Sequence, residues 1–91
     1  VAQASSEAVV TTLPAGVDLH ARPAANFVRA AMGFASDVQV ATPEREANAK
    51  SLLAVLALGA KGGTEVRLTA TGDDAPAALE ALASCLESLS D

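Results

Sequence analysis

The residue types best suited to chemistry in this chain fall within four positions, "HARP", His20 to Pro23. His20 is the only histidine in the sequence, and a run with helical spacing follows it directly. At the start of a helix, four backbone N–H groups lack intrahelical partners. Together with the helix dipole they make a site that attracts anions. If the helix starts just after His20, the imidazole stands at the N-cap beside those donors. The positive potential there disfavours a second positive charge on the ring and so favours its neutral, nucleophilic form. A phosphoryl group accepted by the ring would lie over the Ala21 and Arg22 amides, with the Arg22 guanidinium placed for bidentate contact. Pro23 offers no N–H, but its fixed φ stiffens the first turn. Nucleophile, anion cradle and charge partner together fit a phosphohistidine site. A surface histidine or an improvised cap is the plainer alternative, and local chemistry alone does not separate the two. Asp18, two residues earlier, either orients the ring or repels a phosphate.

A second group of residues points to contact rather than chemistry. Leu52, Leu53, Val55, Leu56 and Leu58 crowd into a short segment. A core-facing helix needs one apolar stripe, yet these side chains extend around most of the circumference. With Val55 and Leu58 turned inward, Leu53 and Leu56 cannot both be buried in a two-layer domain. A compact exposed apolar patch of this kind marks a contact site; complete burial of a short helix is the alternative. Ser51 is placed as the N-cap of that helix. With Lys50 it could also bind an anion or accommodate a serine phosphate.

These groups are carried by a regular succession of elements. "AVVTTL", Ala8 to Leu13, is β-branched and closed by "PAG", which predicts a first strand. From Arg22 to about Met32, apolar residues recur at Ala24, Phe27, Val28 and Ala31, the spacing of one helix face, and Gly33 is placed as the stop. "DVQVAT", Asp37 to Thr42, alternates as a half-buried strand. "PERE" turns the chain, and Ala47 to Ala49 is expected to form a brief edge strand. The Ser51 helix ends near Gly59. "EVRLTA", Glu65 to Ala70, alternates again. Asp73 or Asp74 is then expected to cap a last helix, with Pro76 tolerated in its first turn. Ala75, Leu79, Leu82, Leu86 and Leu89 form the buried stripe of that helix. The order is strand, helix, strand, strand, helix, strand, helix. Two amphipathic helices and a short one over a four-stranded sheet make a two-layer α+β plan.

Composition narrows the classes further. With 91 residues the chain holds one domain. Its apolar fraction of 51% includes only two aromatics, Phe27 and Phe34, so the core must be thin and built from Leu, Val and Ala. A formal charge of −5 disfavours nucleic-acid binding. Arg22, Arg29, Lys50 and Lys61 nonetheless lie near the segments singled out above. A single cysteine, Cys85, excludes an internal disulfide and reads as a semi-buried helix thiol. The chain has too few Cys and His for a metal site, so neither metal nor cofactor is expected. No stretch is suited to span a membrane, and "VAQASSEAVV" lacks the basic start and apolar run of a signal peptide. A reducing, cytoplasmic setting is the expectation. Residues 1–7 are expected to be a flexible tail, a linker from a longer polypeptide or a remnant of cloning, with the domain spanning residues 8–91.

Three stretches, "LHARPAANFVRAA", "NAKSLLAVLALGAKGG" and "EVRLTATGDDAPAALEAL", occur in an order and spacing that closely resemble one family. It is HPr, the histidine-containing phosphocarrier of the phosphoenolpyruvate-dependent sugar phosphotransferase system, and the resemblance runs from about Ala8 to Leu89. It implies an open-faced β-sandwich, β-α-β-β-α-β-α, with a four-stranded antiparallel sheet in order 1-4-2-3 and three helices on one face. It also implies that His20 takes a phosphoryl group on Nδ1 from the phosphohistidine of enzyme I and passes it to an EIIA-type or dihydroxyacetone-kinase-type acceptor. Arg22 would contact the phosphate. Leu52, Leu53 and Leu56 would form the dock with Ala21, Ala25 and Arg29 of the first helix. Ser51 falls at the family's regulatory serine, which an HPr kinase modifies in some lineages. The chain would then be a monomeric transferase component rather than an independent catalyst.

It departs from the family pattern in the loop "AGVDLH", which is longer by about one or two residues and carries Asp18 at the usual glycine. Met32 and Ala54 stand where lysine is frequent, which weakens attraction to an acidic enzyme I. An HPr-like domain within a multi-domain dihydroxyacetone kinase phosphotransfer subunit or a fused multiphosphoryl protein remains an alternative. So does a regulatory interaction module controlled at Ser51. An independent hydrolase or transferase finds little support, because no second titratable group at a recognisable spacing could serve as general acid or base.

Overall fold

The structure is a computed structural model and describes residues 6–89. The elements run β1 (Ser6–Thr12), α1 (Ala21–Met32), β2 (Asp37–Ala41), β3 (Glu46–Asn48), α2 (Leu52–Leu58), β4 (Glu65–Thr71) and α3 (Ala75–Glu87). The strands form one sheet in the order β1-β4-β2-β3, and every pairing is antiparallel. α3 lies across β1 and β4, α1 packs on α2 and α3, and α2 rests on β3. The expected open-faced α+β sandwich, with its three helices, is the architecture found.

Alternation decides which sheet face is covered. Val66, Leu68 and Ala70 of β4 are fully buried, whereas the alternating Glu65 and Arg67 are exposed. Val38 and Val40 repeat the pattern on β2. Successive strand side chains point to opposite faces, so this arrangement closes one face and leaves the other to solvent. From the helix layer come Ala24, Phe27, Val28 and Ala31 of α1, Val55 and Leu58 of α2, and Ala75, Ala78, Leu79, Leu82 and Leu86 of α3. Phe27 is the one aromatic at the centre, and small residues elsewhere let the helices sit close to the sheet. Buried Thr11 is satisfied by donating to Glu87 Oε2 at 2.8 Å. Among the described residues no buried side-chain nitrogen or oxygen lacks a partner, and no helix is long and apolar enough to cross a membrane.

Several boundaries differ from the sequence expectation. β1 starts at Ser6 rather than Ala8, because Ser6 and Glu7 pair with Thr71 and Ala70 although neither favours strand. Residues 1–5 of the expected tail lie outside the described residues, whereas Ser6 and Glu7 belong to the sheet. Leu13 falls just beyond β1, held by its N–H to Thr64 O at 3.0 Å. α1 begins one residue early, at Ala21. Leu89 lies past the end of α3 and is half-buried.

The last helix corrects a further expectation. Asp74 occupies the N-cap position of α3, yet its side chain makes no capping bond. Instead Oδ2 accepts the Ala35 N–H at 2.9 Å, and Oδ1 accepts the Ser36 N–H at 2.9 Å and the Ser36 hydroxyl. The carboxylate thus clasps the turn after α1 to the start of α3, a long-range role invisible to local propensity. The Ser36 hydroxyl, reinforced by the Ala35 amide, holds the Asp74 carboxyl below its ordinary value, because both bonds favour the ionised form.

A carboxyl lowered by folding contributes stability above its unfolded value, near 3.8, and loses that contribution as pH falls through its lower folded value. Asp74→Ala is therefore expected to melt at a lower temperature than the parent at pH 7. The two melting curves should converge as pH drops below about 4. Thermal unfolding followed by circular dichroism across that range checks it, and an undiminished gap in acid counts against the clasp.

Candidate functional site

His20 lies at the N-cap of α1 with extended backbone, φ −95° and ψ −165°. Its carbonyl accepts the first helical hydrogen bond, from the Ala24 N–H at 2.8 Å. Pro23 has no N–H, so the amides of the first turn that precede this bond are those of Ala21 and Arg22. Both residues are exposed, as is His20. The imidazole makes no hydrogen bond to the helix's own N–H groups. The ring thus stands at the solvent-facing end of a twelve-residue helix, where backbone donors and the dipole favour negative charge.

Beside it is an open depression of about 270 Å³ lined by Asp18, Leu19, His20, Leu56, Gly59, Ala60 and Lys61. Two loops build it. One runs from β1 to α1; it turns through the Val17 N–H bond to Pro14 O and buries Leu19. The other follows α2, whose end is closed by Gly59 with φ +67°, a left-handed conformation that glycine adopts without strain. Leu19 N–H donates to Ala60 O at 2.9 Å, and Asp18 Oδ1 accepts the Gly62 N–H at 2.8 Å. Asp18 therefore ties the two loops together. This differs from the two alternatives expected for it, ring orientation or phosphate repulsion.

α2 behaves as its surplus of leucine requires. Val55 and Leu58 are buried, Leu56 is half-buried in the wall of the depression, and Leu53 is 80% exposed. Leu52 is also exposed, so complete burial of the helix is ruled out. On the neighbouring α1, Ala21, Ala25 and Arg29 follow a four-residue step and share one face. Arg29 reaches only Asn26 Oδ1, at 3.5 Å, and stays exposed. Met32, 66% exposed, adds apolar surface near the end of the same helix. Because α1 and α2 pack on one another, the two sets of residues expected to dock lie on adjacent elements.

Ser51 caps α2 as expected, its Oγ accepting from Ala54 N–H at 3.2 Å. Lys50 extends across to Phe34 O at 2.8 Å, which links the start of α2 to the turn after α1. Cys85 is half-buried, and burial pushes its thiol up, in keeping with a packing role.

Charge is strongly segregated along the chain. Residues 19–36 and 47–64, which contain α1, α2 and the loops flanking them, hold no Asp or Glu. They hold four of the six basic residues, Arg22, Arg29, Lys50 and Lys61. A chain of net charge −5 therefore presents a locally basic and apolar surface around His20. Leu19 and Ala60 of the depression escaped sequence reasoning, Gly59 was read only as a helix end, and Lys61 was noted only as lying near the segments singled out. The glycine-dense "GAKGG" was the available signal, because a cluster of that kind marks close backbone approach.

Sequence and fold both match known proteins. Residues 6–88 match the family model described as the PTS HPr component phosphorylation site. The phosphocarrier protein HPr of Haloferax volcanii is 47% identical over 78 residues, covering 84% of this chain and 86% of that protein. The multiphosphoryl transfer protein of Xanthomonas campestris pv. campestris is 42% identical over 71 residues, or 78% of this chain, which spans only 8% of that protein's length. Among solved structures, the phosphocarrier protein HPr of Bacillus anthracis str. Ames superposes with a TM-score of 0.86 at 32% identity, covering 91% of this chain and 99% of that one. The family match spans nearly every described residue, and so the chain belongs to the HPr family of phosphotransferase-system phosphocarriers.

Proposed function

We propose that the chain relays a phosphoryl group through His20 Nδ1, from phospho-enzyme I to an EIIA-type or related histidine acceptor. The observation that carries this is the exposed imidazole at the N-cap of α1, beside an open depression. In the forward step the neutral ring attacks phosphorus, the Nδ1–P bond forms and the P–N bond to the donor histidine breaks. The electron pair of the broken bond stays with the donor ring, and Nε2 of His20 keeps its proton. Negative charge then rests beside the Ala21 and Arg22 amides and the Arg22 guanidinium, which are donors held in place before the group arrives. Phosphoryl transfer depends mostly on alignment and charge stabilisation, so a carrier without a general base of its own is sufficient.

Docking falls to Leu52, Leu53 and Leu56 together with Ala21, Ala25 and Arg29. The exposed leucines supply apolar area to bury, while the basic residues along α1 steer an acidic partner and speed encounter. With Met32 and Ala54 in place of basic residues that steering is moderate, which suits rapid exchange between a donor and several acceptors. The same relay serves a chain that stands alone or a domain of a longer protein.

Ser51 adds a regulatory reading to the relay. Its hydroxyl caps α2 and lies one residue before Leu52, so a phosphate there would put a dianion at the edge of the dock.

Incubation with phosphoenolpyruvate and enzyme I should add one acid-labile phosphoryl group to the parent and none to His20→Ala; full labelling of the variant would overturn the assignment. Leu53→Asp should raise the KM for transfer from enzyme I about tenfold, equivalent to about 1.4 kcal/mol of docking energy. Its melting temperature should stay unchanged because the side chain is 80% exposed. An unaltered KM would place the dock elsewhere. Ser51→Asp should likewise weaken transfer while leaving labelling by small phosphoryl donors intact, and equal loss with both donor types would deny it a role at the dock.

A further inference from the structure

The relay uses His20, Arg22 and the α2 leucines, which leaves two charged residues of the depression without a role. Asp18 and Lys61 both line it, one from the loop before α1 and the other from the loop after α2. Asp18 is the one carboxylate among the lining residues, and a negative charge in that place opposes an incoming phosphoryl group. A carboxylate in that place therefore calls for a compensating function.

The loop contacts supply one. Asp18 Oδ1 receives the Gly62 N–H at 2.8 Å, and Leu19 N–H donates to Ala60 O at 2.9 Å, so hydrogen bonds flank Lys61 on both sides. Gly62 is packed so closely that an added Cβ would lie 2.6 Å from Gly16 N and 2.8 Å from both Pro14 O and Val17 N. All three are backbone atoms, which cannot yield as a side chain would. The segment carrying Lys61 is thus held rigidly against the segment carrying His20, while the lysine side chain itself is exposed and able to swing.

Resting on the relay reading, we propose that Lys61 is a second phosphate-binding cation beside Arg22, and that Asp18 is the positioning residue which holds Lys61 at the site. Before transfer, the opposite charges of Asp18 and Lys61 largely offset one another across the depression. When the phosphoryl group arrives on His20, its larger negative charge draws the exposed Lys61 ammonium toward it across the depression. Delivery to the next protein removes that charge and releases the ammonium. The pair therefore supplies attraction for the bound group without leaving an excess of positive charge on the empty carrier.

Phosphoramidate tests this without a protein donor. The Nδ1–P bond to His20 forms as the P–N bond of the donor's ammonium form breaks, and ammonia leaves with the electron pair. Phosphorylation of Lys61→Gln by phosphoramidate should be slower than the parent by on the order of threefold at low ionic strength, the size expected for one exposed charge. Lys61→Arg should restore the rate. In about 1 M salt, where the screening length falls to about 3 Å, the difference should vanish. Asp18→Asn keeps a carbonyl oxygen for the Gly62 N–H but removes the charge, so its rate should rise by a similar factor. Hydrogen exchange of the Gly62 amide should remain slow in Asp18→Asn and become fast in Asp18→Ala. An unchanged rate for Lys61→Gln, a change that persists in high salt, a slower Asp18→Asn, or equal Gly62 exchange in both Asp18 variants would each overturn the proposal. A parent labelled at His20 while Lys61→Gln matches it defeats only the role of the pair. A parent that takes no label, from phosphoramidate or from enzyme I, defeats the relay with it.

Discussion

The covering of a single sheet face is the constraint from which the rest of this molecule follows. β4 pairs with both β1 and β2, and its Val66, Leu68 and Ala70 lie fully buried against the helix layer, while Glu65 and Arg67 look away from it. With few aromatics, the core owes its cohesion to close approach of Ala, Val and Leu, and packing of this kind tolerates little displacement. Helices seated on such a surface are held in position along their length. Their ends, and the loops that join them to the strands, then become fixed points at the rim of the domain. His20 occupies one of those points.

A histidine at a helix N-cap gains a chemical environment from backbone rather than from neighbouring side chains. The Ala24 bond to the His20 carbonyl starts the helix, and the amides ahead of it are left over by the geometry of any helix. Proline at position 23 fits this turn because it sits where no donor is required. In the proposed relay the site is economical: one imidazole, one guanidinium and two amides, all on exposed residues. The same proposed relay accounts for the absence of acids from the residues around α1 and α2, since a carboxylate on that surface would repel both a phosphoryl cargo and an acidic partner. Asp18 is the exception beside the depression, and its bond to Gly62 gives the physical reason for it.

Much of this was legible from residue order. Period-two runs in "DVQVAT" and "EVRLTA" and the three- and four-residue steps of α1 and α3 are local consequences of burying one face, so they survive in the sequence as pattern. Ser51 and Gly59 were readable as helix ends for the same reason. The leucine surplus in α2 was readable as exposed surface, because a two-layer domain cannot bury a helix all round. Strand boundaries were less legible. Ser6 and Glu7 join the sheet through partners some 64 positions away in sequence, as the Ser6–Thr71 and Glu7–Ala70 pairings require. Asp74 showed the same limit: as an N-cap residue it looked local, but its carboxylate serves Ala35 and Ser36.

By itself, the sequence determined the helix that begins after His20, the alternation of the strands, the thin aliphatic core and the basic, apolar character of the segments around α1 and α2. Each depends on residues within a few positions of one another, where backbone geometry alone couples them. Only the tertiary structure decided that the loop before α1 and the loop after α2 lie against one another, that Gly62 has no space for a side chain, and that Asp18, Leu56 and Lys61 share a depression with His20. These relations join segments about forty residues apart, as in the Asp18–Gly62 bond. Their energetics arise from packing and hydrogen bonds that exist only once the sheet has brought those segments together.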